Sequence, residues 1–410
     1  MHQSRPDQPE WRLKNTVKFC QLVFVLSYLV TTSAAMACPF CAPTDPTLSE
    51  RVVQADAALL GQWVEAQKRE SSAGGQTKFA VLSTLKFPET QQPTSIQVPD
   101  FVRGQKGDLF LLLGQLDPDS QSIILWERPQ AITETAFQYV NQAPAPETAA
   151  AKRLKYFNRF LEFPDSLIGD DAYAEFAKAP YEAVFMARES FSREKLRKWL
   201  TSDDVLAPRR GLYGLMLGLI GNPEDAELLR RLIDDDSDSV RLGIDGVMAG
   251  FVLIEGDDGL QHLRQTIFED PQTPITDVHA ALTAMRFLWS SGPPDVSRKL
   301  IKATVRAALD RPEAADLAIA DLARWKDWSV QDRLMTLYRK KETDNPLGQI
   351  ATRRAIIRYL LASTLDKDNA TDEPDHIQQA KKYLEEIRKI DPRGVAAAER
   401  IFGRQTIRSD

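Results

Sequence analysis

The chain has few of the side chains from which metal sites and nucleophilic sites are built. Its 410 residues include only three cysteines and four histidines, and no G-x-S-x-G, H-E-x-x-H, P-loop or G-x-G-x-x-G string occurs. Positive charge is not in excess either, because 52 basic residues stand against 58 acidic ones and the net charge is −6. The sequence therefore gives no support to an enzyme and argues against a basic nucleic-acid-binding surface.

What remains is the composition of an ordinary globular protein. Hydrophobic residues make up 43% of the chain and charged residues 27%, which excludes a disordered, collagen-like or coiled-coil chain. At roughly 150 residues per domain, the length predicts two or three domains.

Long hydrophobic runs are also lacking. The longest, residues 19–30, follows a basic stretch and is shorter than the roughly 20 residues that span a bilayer. Ala35 and Ala37 satisfy the small-residue rule of a signal peptidase. We therefore predict that residues 1–37 are a signal peptide and that Cys38 begins a mature chain without a membrane span, in the periplasm or secreted. Lipidation of Cys38 as a membrane tether is the alternative.

Residues 38–140 have the pattern of a small all-β domain. Thr47 and Glu50 have the spacing of a capping box before a short helix. Period-two segments then predict five strands, at residues 58–66, 79–87, 96–102, 107–114 and 122–126. Five strands with a helix at each end predict a β-barrel of OB type.

Several features of this region resemble the netrin-like module of tissue inhibitors of metalloproteinases. They are a mature chain that begins at Cys38, a second cysteine at Cys41, a helix ending at Ala55, and the strands at residues 60–64 and 107–114. Members of that family carry more cysteines and begin with Cys-x-Cys, whereas this chain has Cys-x-x-Cys. The resemblance thus implies the OB-type fold but not the inhibitory function.

Residues 141–147 are rich in proline and alanine and predict a linker. Beyond it, over residues 148–410, the hydrophobic period is helical. Helix–turn–helix units open near residues 208, 240, 277, 313 and 347. Steps of this length between units predict an α-solenoid of helical hairpins, which gives a multidomain protein with a β-barrel first and a solenoid second.

Two segments of this region have family resemblances of their own. Residues 236–241, an acidic turn followed by Val-Arg, resemble the HEAT repeat, and residues 380–392 resemble the second helix of a tetratricopeptide unit. Glycines are frequent in the first two units, at Gly211, Gly214, Gly218, Gly243, Gly246 and Gly250. They are expected where two helices are in close contact.

Cys38 and Cys41 form the most distinctive motif, and three interpretations stay open. They can form a disulfide that clamps the N-terminal segment, a thiol-redox pair, or two ligands of a soft metal such as copper(I) or zinc. The prolines that follow, Pro43 and Pro46, remove the helix start that usually activates such a thiol, and no third metal ligand is visible. Haem attachment is excluded because no histidine follows Cys41.

An acidic stretch provides a second candidate site. Asp234, Asp236, Asp238 and Asp245 occupy positions 1, 3, 5 and 12 of a calcium loop of the EF-hand kind. Ser239 stands where such a loop needs glycine, and a solvated turn that caps the next helix explains the same residues.

Several aromatic and basic residues near the C-terminus either contribute to a binding surface or pack between helices. They are Trp325, Lys326, Trp328, Arg333 and Tyr338. Packing between helices is expected of at least one of the two tryptophans.

The sequence as a whole predicts an exported, non-enzymatic binding or scaffold protein of the cell envelope that engages a protein or peptide through its solenoid surface. The alternative is a thiol-redox or soft-metal protein acting through Cys38 and Cys41.

Overall fold

The structure, a computed structural model, describes residues 38–406 except for 43, 69–73, 89–91, 118–123, 236–239, 341–345 and 367–372. All described residues belong to one compact unit. The predicted signal peptide lies outside them. Within the described residues, a six-stranded antiparallel sheet precedes the main series of helices, so a strand region followed by a helical region is confirmed.

The strands are β1 (Ala57–Lys68), β2 (Gly75–Lys86), β3 (Ser95–Val98), β4 (Leu109–Leu116), β5 (Ile124–Trp126) and β6 (Gln130–Ile132). The sheet order is β3-β2-β1-β4-β5, and β6 pairs with β4 beside β5. Five strands overlap the predicted segments. The sixth, β6, was not predicted, because three residues are too few to show an alternating pattern.

Both faces of the sheet are buried, which explains why β4 is almost continuously apolar. One face forms a small core in which the rings of Phe79 and Phe110 lie 5.2 Å apart, with Leu59 and Leu112 beside them. On the other face, Leu111 belongs to a large core that continues through the helices. The sheet and the helical region therefore share one hydrophobic core.

The α-helices of the described residues are α1 (Leu48–Gln54), α2 (Glu134–Gln142), α3 (Ala150–Phe157), α4 (Ser166–Lys178), α5 (Tyr181–Ala187), α6 (Arg193–Thr201), α7 (Arg210–Ile220), α8 (Pro223–Ile233), α9 (Ile244–Glu255), α10 (Asp257–Leu263), α11 (Ile275–Ser291), α12 (Arg298–Ala307), α13 (Ala315–Arg324), α14 (Gln331–Arg339), α15 (Pro346–Leu365), α16 (Asp375–Ile390) and α17 (Pro392–Thr406). Five of them, α7, α9, α11, α13 and α15, begin close to the predicted unit starts. The first two residues of the predicted linker belong to the end of α2.

The capping box predicted for the first helix is confirmed. The Thr47 hydroxyl accepts a hydrogen bond from the Glu50 amide at 3.2 Å, and the Glu50 carboxylate accepts one from the Thr47 amide at 2.8 Å. We expect Thr47→Ala to lower the free energy of unfolding by about 1 kcal/mol, because an amide at the helix start loses its acceptor. Urea unfolding measures this loss, and Thr47→Ser is the control that keeps the cap.

Close contact between α7 and α9 depends on the glycines that the sequence singled out. A methyl group on Gly246 would lie 2.0 Å from the Gly211 carbonyl oxygen, and one on Gly250 would lie 2.1 Å from the Gly214 carbonyl oxygen. The two glycines of each contact are 35 and 36 residues apart in sequence, respectively. These two helices, which open consecutive units, therefore pack backbone to backbone, and side chains larger than hydrogen do not fit between them.

Ion pairs also join helices that are about one unit apart. Three pairs at this spacing each join an arginine to a buried aspartate: Arg193 with Asp225 at 2.7 Å, Arg241 with Asp277 at 2.5 Å, and Arg286 with Asp321 at 2.8 Å. The sequence separations are 32, 36 and 35 residues. A buried carboxylate needs such a partner, so each pair fixes two parts of the helical region against each other.

The aromatic residues near the C-terminus pack between helices. Trp325 is only 4% exposed and stacks on Trp289 with ring centroids 4.7 Å apart. Tyr338 is also buried, and the Trp328 indole donates a hydrogen bond to Asp366 at 2.7 Å. Of the two roles that the sequence left open, the structure assigns packing to these three rings.

Among the residues that the structure covers, no helix combines the length and the apolar character needed to cross a membrane.

Candidate functional site

Cys38 and Cys41 lie in a short loop, residues 38–42, which we call the N-terminal loop. Cys38 and Cys41 are joined by a disulfide, and Cys38 is 8% exposed. Outside the disulfide, the loop is held by α4: the Cys38 amide donates a hydrogen bond to the Ala177 carbonyl at 3.1 Å, and the Ala42 amide donates one to the Tyr173 hydroxyl at 3.2 Å. The loop is thus fixed to the helical region.

Phe40, between the two cysteines, anchors the N-terminal loop in the large core. Its side chain is 4% exposed, and its ring meets the Phe287 ring edge to face at 5.0 Å. A methyl group on Gly211 would lie 2.6 Å from the Phe40 carbonyl oxygen, so the loop backbone rests directly on the first turn of α7. The arrangement makes the disulfide part of a packed surface.

Burial of the N-terminal loop predicts how its thiols respond to reagents. A thiolate must reach a sulfur along an open path to exchange with a disulfide, and Cys38 offers little such access. We expect thiol titration of the native protein to find no reactive cysteine before mild dithiothreitol and little after it. Both cysteines should react once urea is added with the reductant. Rapid titration of two thiols after mild reduction of the folded protein would contradict this prediction.

The predicted calcium ligands are only partly within the described residues. Asp236 and Asp238 lie outside them. Asp234 ends α8 and lies 2.8 Å from the His262 ring nitrogen, whereas Asp245 lies in the first turn of α9 and accepts a hydrogen bond from the Gly246 amide at 2.9 Å. Burial raises the pKa of Asp245. Among the residues that the structure describes, no group of three or more His, Cys, Asp or Glu side chains could hold a metal ion.

The contact between Asp234 and His262 was not predicted from the sequence. The two residues are 28 positions apart and belong to different helices, so local spacing carries no signal for it. The His262 ring also packs edge to face on Phe251 at 5.5 Å. This histidine therefore has a structural role between α8, α9 and α10.

A buried polar cluster lies where the sheet-side helices meet α4. The Asp171 carboxylate accepts hydrogen bonds from the Leu48 amide and the Tyr139 hydroxyl, both at 2.6 Å. Burial raises the pKa of Asp171 to about 6, although both hydrogen bonds act in the opposite direction. One turn along α4, Glu175 accepts a hydrogen bond from Arg153 at 2.6 Å. The cluster joins α1, α2 and α4, and every part of it was missed by sequence reasoning.

A large recess lies in the C-terminal part of the helical region. Helices α13, α15 and α17 line two adjoining cavities of about 810 Å³ and 500 Å³. Arg354, Arg358 and Ile401 line both cavities, so they form one depression, which we call the C-terminal groove.

Small and cationic side chains line the C-terminal groove. The small ones are Ala320, Ala323, Ala351, Ala355, Ala362, Gly394, Ala397 and Ala398. The charged ones are Arg324, Arg353, Arg354, Arg358 and Arg393 against Asp316 and Asp391, five arginines and two aspartates with a net charge of +3. Exposed apolar side chains complete it, because Ile350 is 45% and Ile401 44% exposed.

Most of this groove escaped the sequence analysis because three separate helices build it. One local signal was available: on α15, Ala351, Arg354, Ala355, Arg358 and Ala362 follow the three-and-four spacing of a single helix face. A face of alanine and arginine is too small to cover a core and too cationic to be buried there, so it predicts a surface open to solvent.

No family model, curated protein or solved structure matches the chain.

Proposed function

We propose that the protein is an exported, non-enzymatic binding or scaffold protein of the cell envelope whose helical region engages a protein or peptide partner. The observation that carries this proposal is the C-terminal groove. Its alanine floor allows the backbone of a partner to approach closely, and Ile350 and Ile401 offer apolar contacts that are exposed in the free chain. Partly exposed apolar recesses with a polar rim are typical of protein-binding surfaces.

The proposed architecture of the helical region is an α-solenoid of the HEAT-like kind. It is supported by glycine contacts and ion pairs between positions 32 to 36 residues apart, since equivalent residues of neighbouring repeats touch in a solenoid. Stacked hairpins of this kind present long surfaces that suit an extended partner.

For the sheet we propose an open barrel of OB type, with the netrin-like resemblance as its sequence counterpart. This proposal is supported by a second core on one face of the sheet, built from residues such as Leu59, Phe79 and Val98, around which the sheet would curl. Register shifts along β1 and β2 support the curling, because β-bulges increase the twist of a strand pair.

The alternative function, thiol-redox or soft-metal chemistry at Cys38 and Cys41, is not our proposal. The disulfide between them and the burial of Cys38 support a clamp on the N-terminal segment. Chemistry at the buried Cys38 sulfur would require the N-terminal loop to leave Phe287 and Ala177.

Export is tested by the intact mass of the protein recovered from outside the cytoplasm. Loss of residues 1–37 would support the proposed cleavage before Cys38, and the same loss with an added lipid mass would support export with a tether. The full-length mass would overturn the proposal of a cleaved signal.

Partner binding is tested with the full mature chain, because the shared core means that neither half can be deleted cleanly. Ala320 and Ala397 are exposed alanines within the C-terminal groove, so Ala320→Trp with Ala397→Trp fills it with little effect on packing. Ala396→Trp, an exposed alanine outside the groove lining, is the matched control. We expect wild type and control to retain the same envelope protein on an affinity column and the filled variant to lose it.

Equal retention of that protein by the filled variant would overturn the proposal, and so would the absence of any protein retained by the wild type. Circular dichroism and melting temperature of all three proteins establish that the substitutions leave the fold intact.

A further inference from the structure

We infer that the C-terminal groove selects an acidic segment of another protein, one in which carboxylates alternate with apolar side chains. This inference rests on the proposed function and names the chemistry of the partner. Its basis is the contrast between a lining with a net charge of +3 and a whole chain with a net charge of −6. Positive charge is thus concentrated in a recess of an acidic protein, where it attracts a partner of opposite sign.

Of the five arginines that line the groove, Arg324 is paired with Asp321 at 2.8 Å, whereas three others have no carboxylate to neutralise them. Arg354, Arg358 and Arg393 make no ion pair with any carboxylate of the described residues. By contrast, Arg286 and Arg306 are paired with Asp321 and Asp327. A guanidinium presents a planar fork of donors that fits a carboxylate with two parallel hydrogen bonds, so these three forks are available to a ligand.

The spacing of the arginines suits a peptide. Arg354 and Arg358 lie one helical turn apart on the same face of α15, which separates their Cβ atoms by about 6 Å. Carboxylates one turn apart on a helix, or two residues apart on an extended chain, have a similar spacing. Arg393 on α17 lies near them, because all three arginines line the second cavity.

The apolar part of the lining favours a peptide over other polyanions. Ile350 and Ile401 lie beside the arginines, and burying them requires apolar side chains among the carboxylates. A flat membrane surface would not reach a recessed alanine floor. Single-stranded nucleic acid binds through exposed aromatic rings, whereas Tyr359, the one aromatic residue among the described side chains that line the groove, is fully buried.

The test uses the full mature chain and a fluorescein-labelled helical peptide of glutamate, leucine and alanine, with glutamates four residues apart. A second peptide has glutamine in place of every glutamate. Fluorescence anisotropy should show binding of the acidic peptide that weakens as salt is added, and at least tenfold weaker binding of the glutamine peptide. Arg354→Glu with Arg358→Glu should weaken binding of the acidic peptide at least tenfold, and Arg354→Lys with Arg358→Lys should weaken it less.

The matched control is Arg103→Glu with Arg128→Glu, which makes the same change of charge at two exposed arginines of the sheet region. The affinity of this variant for the acidic peptide should stay within about twofold of that of wild type, because salt screens the effect of distant charges. An equal loss of binding in both variants would overturn the inference, because only the overall charge would matter. Equal binding of the glutamine peptide would also overturn it.

Other occupants of the groove give different results in the same experiment. Binding of vesicles with anionic lipid, but not of the peptide, would overturn the inference in favour of a membrane surface. Self-association that disappears in Arg354→Glu with Arg358→Glu would overturn it in favour of a second copy of this chain. If the acidic peptide fails to bind while the groove-filled variant loses its envelope partner, this inference fails and the proposed function stands. If the peptide binds and partner retention is unchanged in the filled variant, the proposed function fails.

Discussion

Replacement of Gly246 by alanine is expected to lower the free energy of unfolding by about 3 kcal/mol or more, or to prevent folding. In an exposed helix, the same change normally stabilises a protein by about 0.5 to 1 kcal/mol. Here the added methyl group would lie 2.0 Å from the Gly211 carbonyl oxygen and 2.5 Å from its carbonyl carbon. Because these are backbone atoms, no side-chain rotation relieves the overlap, and α7 and α9 must separate.

The separation would spread along both helices. Gly250 touches the Gly214 carbonyl, and a methyl group on Gly218 would lie 2.4 Å from the Cα atom of Gly250. An increase in spacing at Gly246 therefore opens a void along the rest of the contact, and lost packing adds to the cost.

Urea or thermal unfolding of Gly246→Ala measures the effect. Gly259→Ala is the matched control, because Gly259 is also helical but its nearest atoms lie 3.2 Å from the added methyl group. We expect that variant to stay within about 1 kcal/mol of wild type. Equal stability of Gly246→Ala and wild type would show that the two helices are not in backbone contact in solution.

The glycine contacts also show what periodicity can predict. Facing glycines recur at the repeat spacing, so the sequence alone indicated which residues lie between helices. Strands β1 and β4 could also be predicted from the sequence, because alternating or continuous apolar residues indicate how many faces of a strand are buried. These features are encoded by neighbours along one element.

Contacts between residues that are far apart in sequence could not be predicted in this way. Asp171 takes its partners from Leu48 and Tyr139, and Phe40 packs on Phe287. Nothing in the local pattern near any of these residues specifies the other, because the pairing is set by how whole elements dock. The C-terminal groove was not predicted for the same reason, since Arg354 and Arg393 become neighbours only when α15 and α17 pack together.

Substitutions of Asp171 are expected to have the second large effect on the free energy of unfolding. Comparing them distinguishes the contribution of the carboxylate charge from that of its hydrogen bonds. Asp171→Ala would leave the Leu48 amide and the Tyr139 hydroxyl buried without an acceptor, at a cost of about 1 to 3 kcal/mol for each. We expect a loss of about 3 kcal/mol at pH 7. Asp171→Asn should lose far less, because the amide oxygen can accept from Leu48 and the amide nitrogen can donate to the Tyr139 oxygen.

The pH dependence follows from the raised pKa of Asp171, about 6 in the folded protein against 3.8 ordinarily. Because the folded state binds this proton more tightly than the unfolded state, the contribution of Asp171 to stability is greatest below pH 3.8 and is lost as the pH rises through 6. The full difference corresponds to about 3 kcal/mol, of which about 1 kcal/mol falls between pH 5 and pH 7. Wild type should therefore gain about 1 kcal/mol relative to Asp171→Asn when the pH is lowered from 7 to 5.

Comparison with Asp171→Asn isolates this carboxylate, because the remaining titrating groups are common to both proteins. Urea unfolding of each at pH 5, 6 and 7 gives the difference in free energy at each pH. A difference that stays constant would mean that the pKa of Asp171 is not raised, because a carboxylate with an ordinary or lowered pKa is already ionised in both the folded and the unfolded state at pH 5.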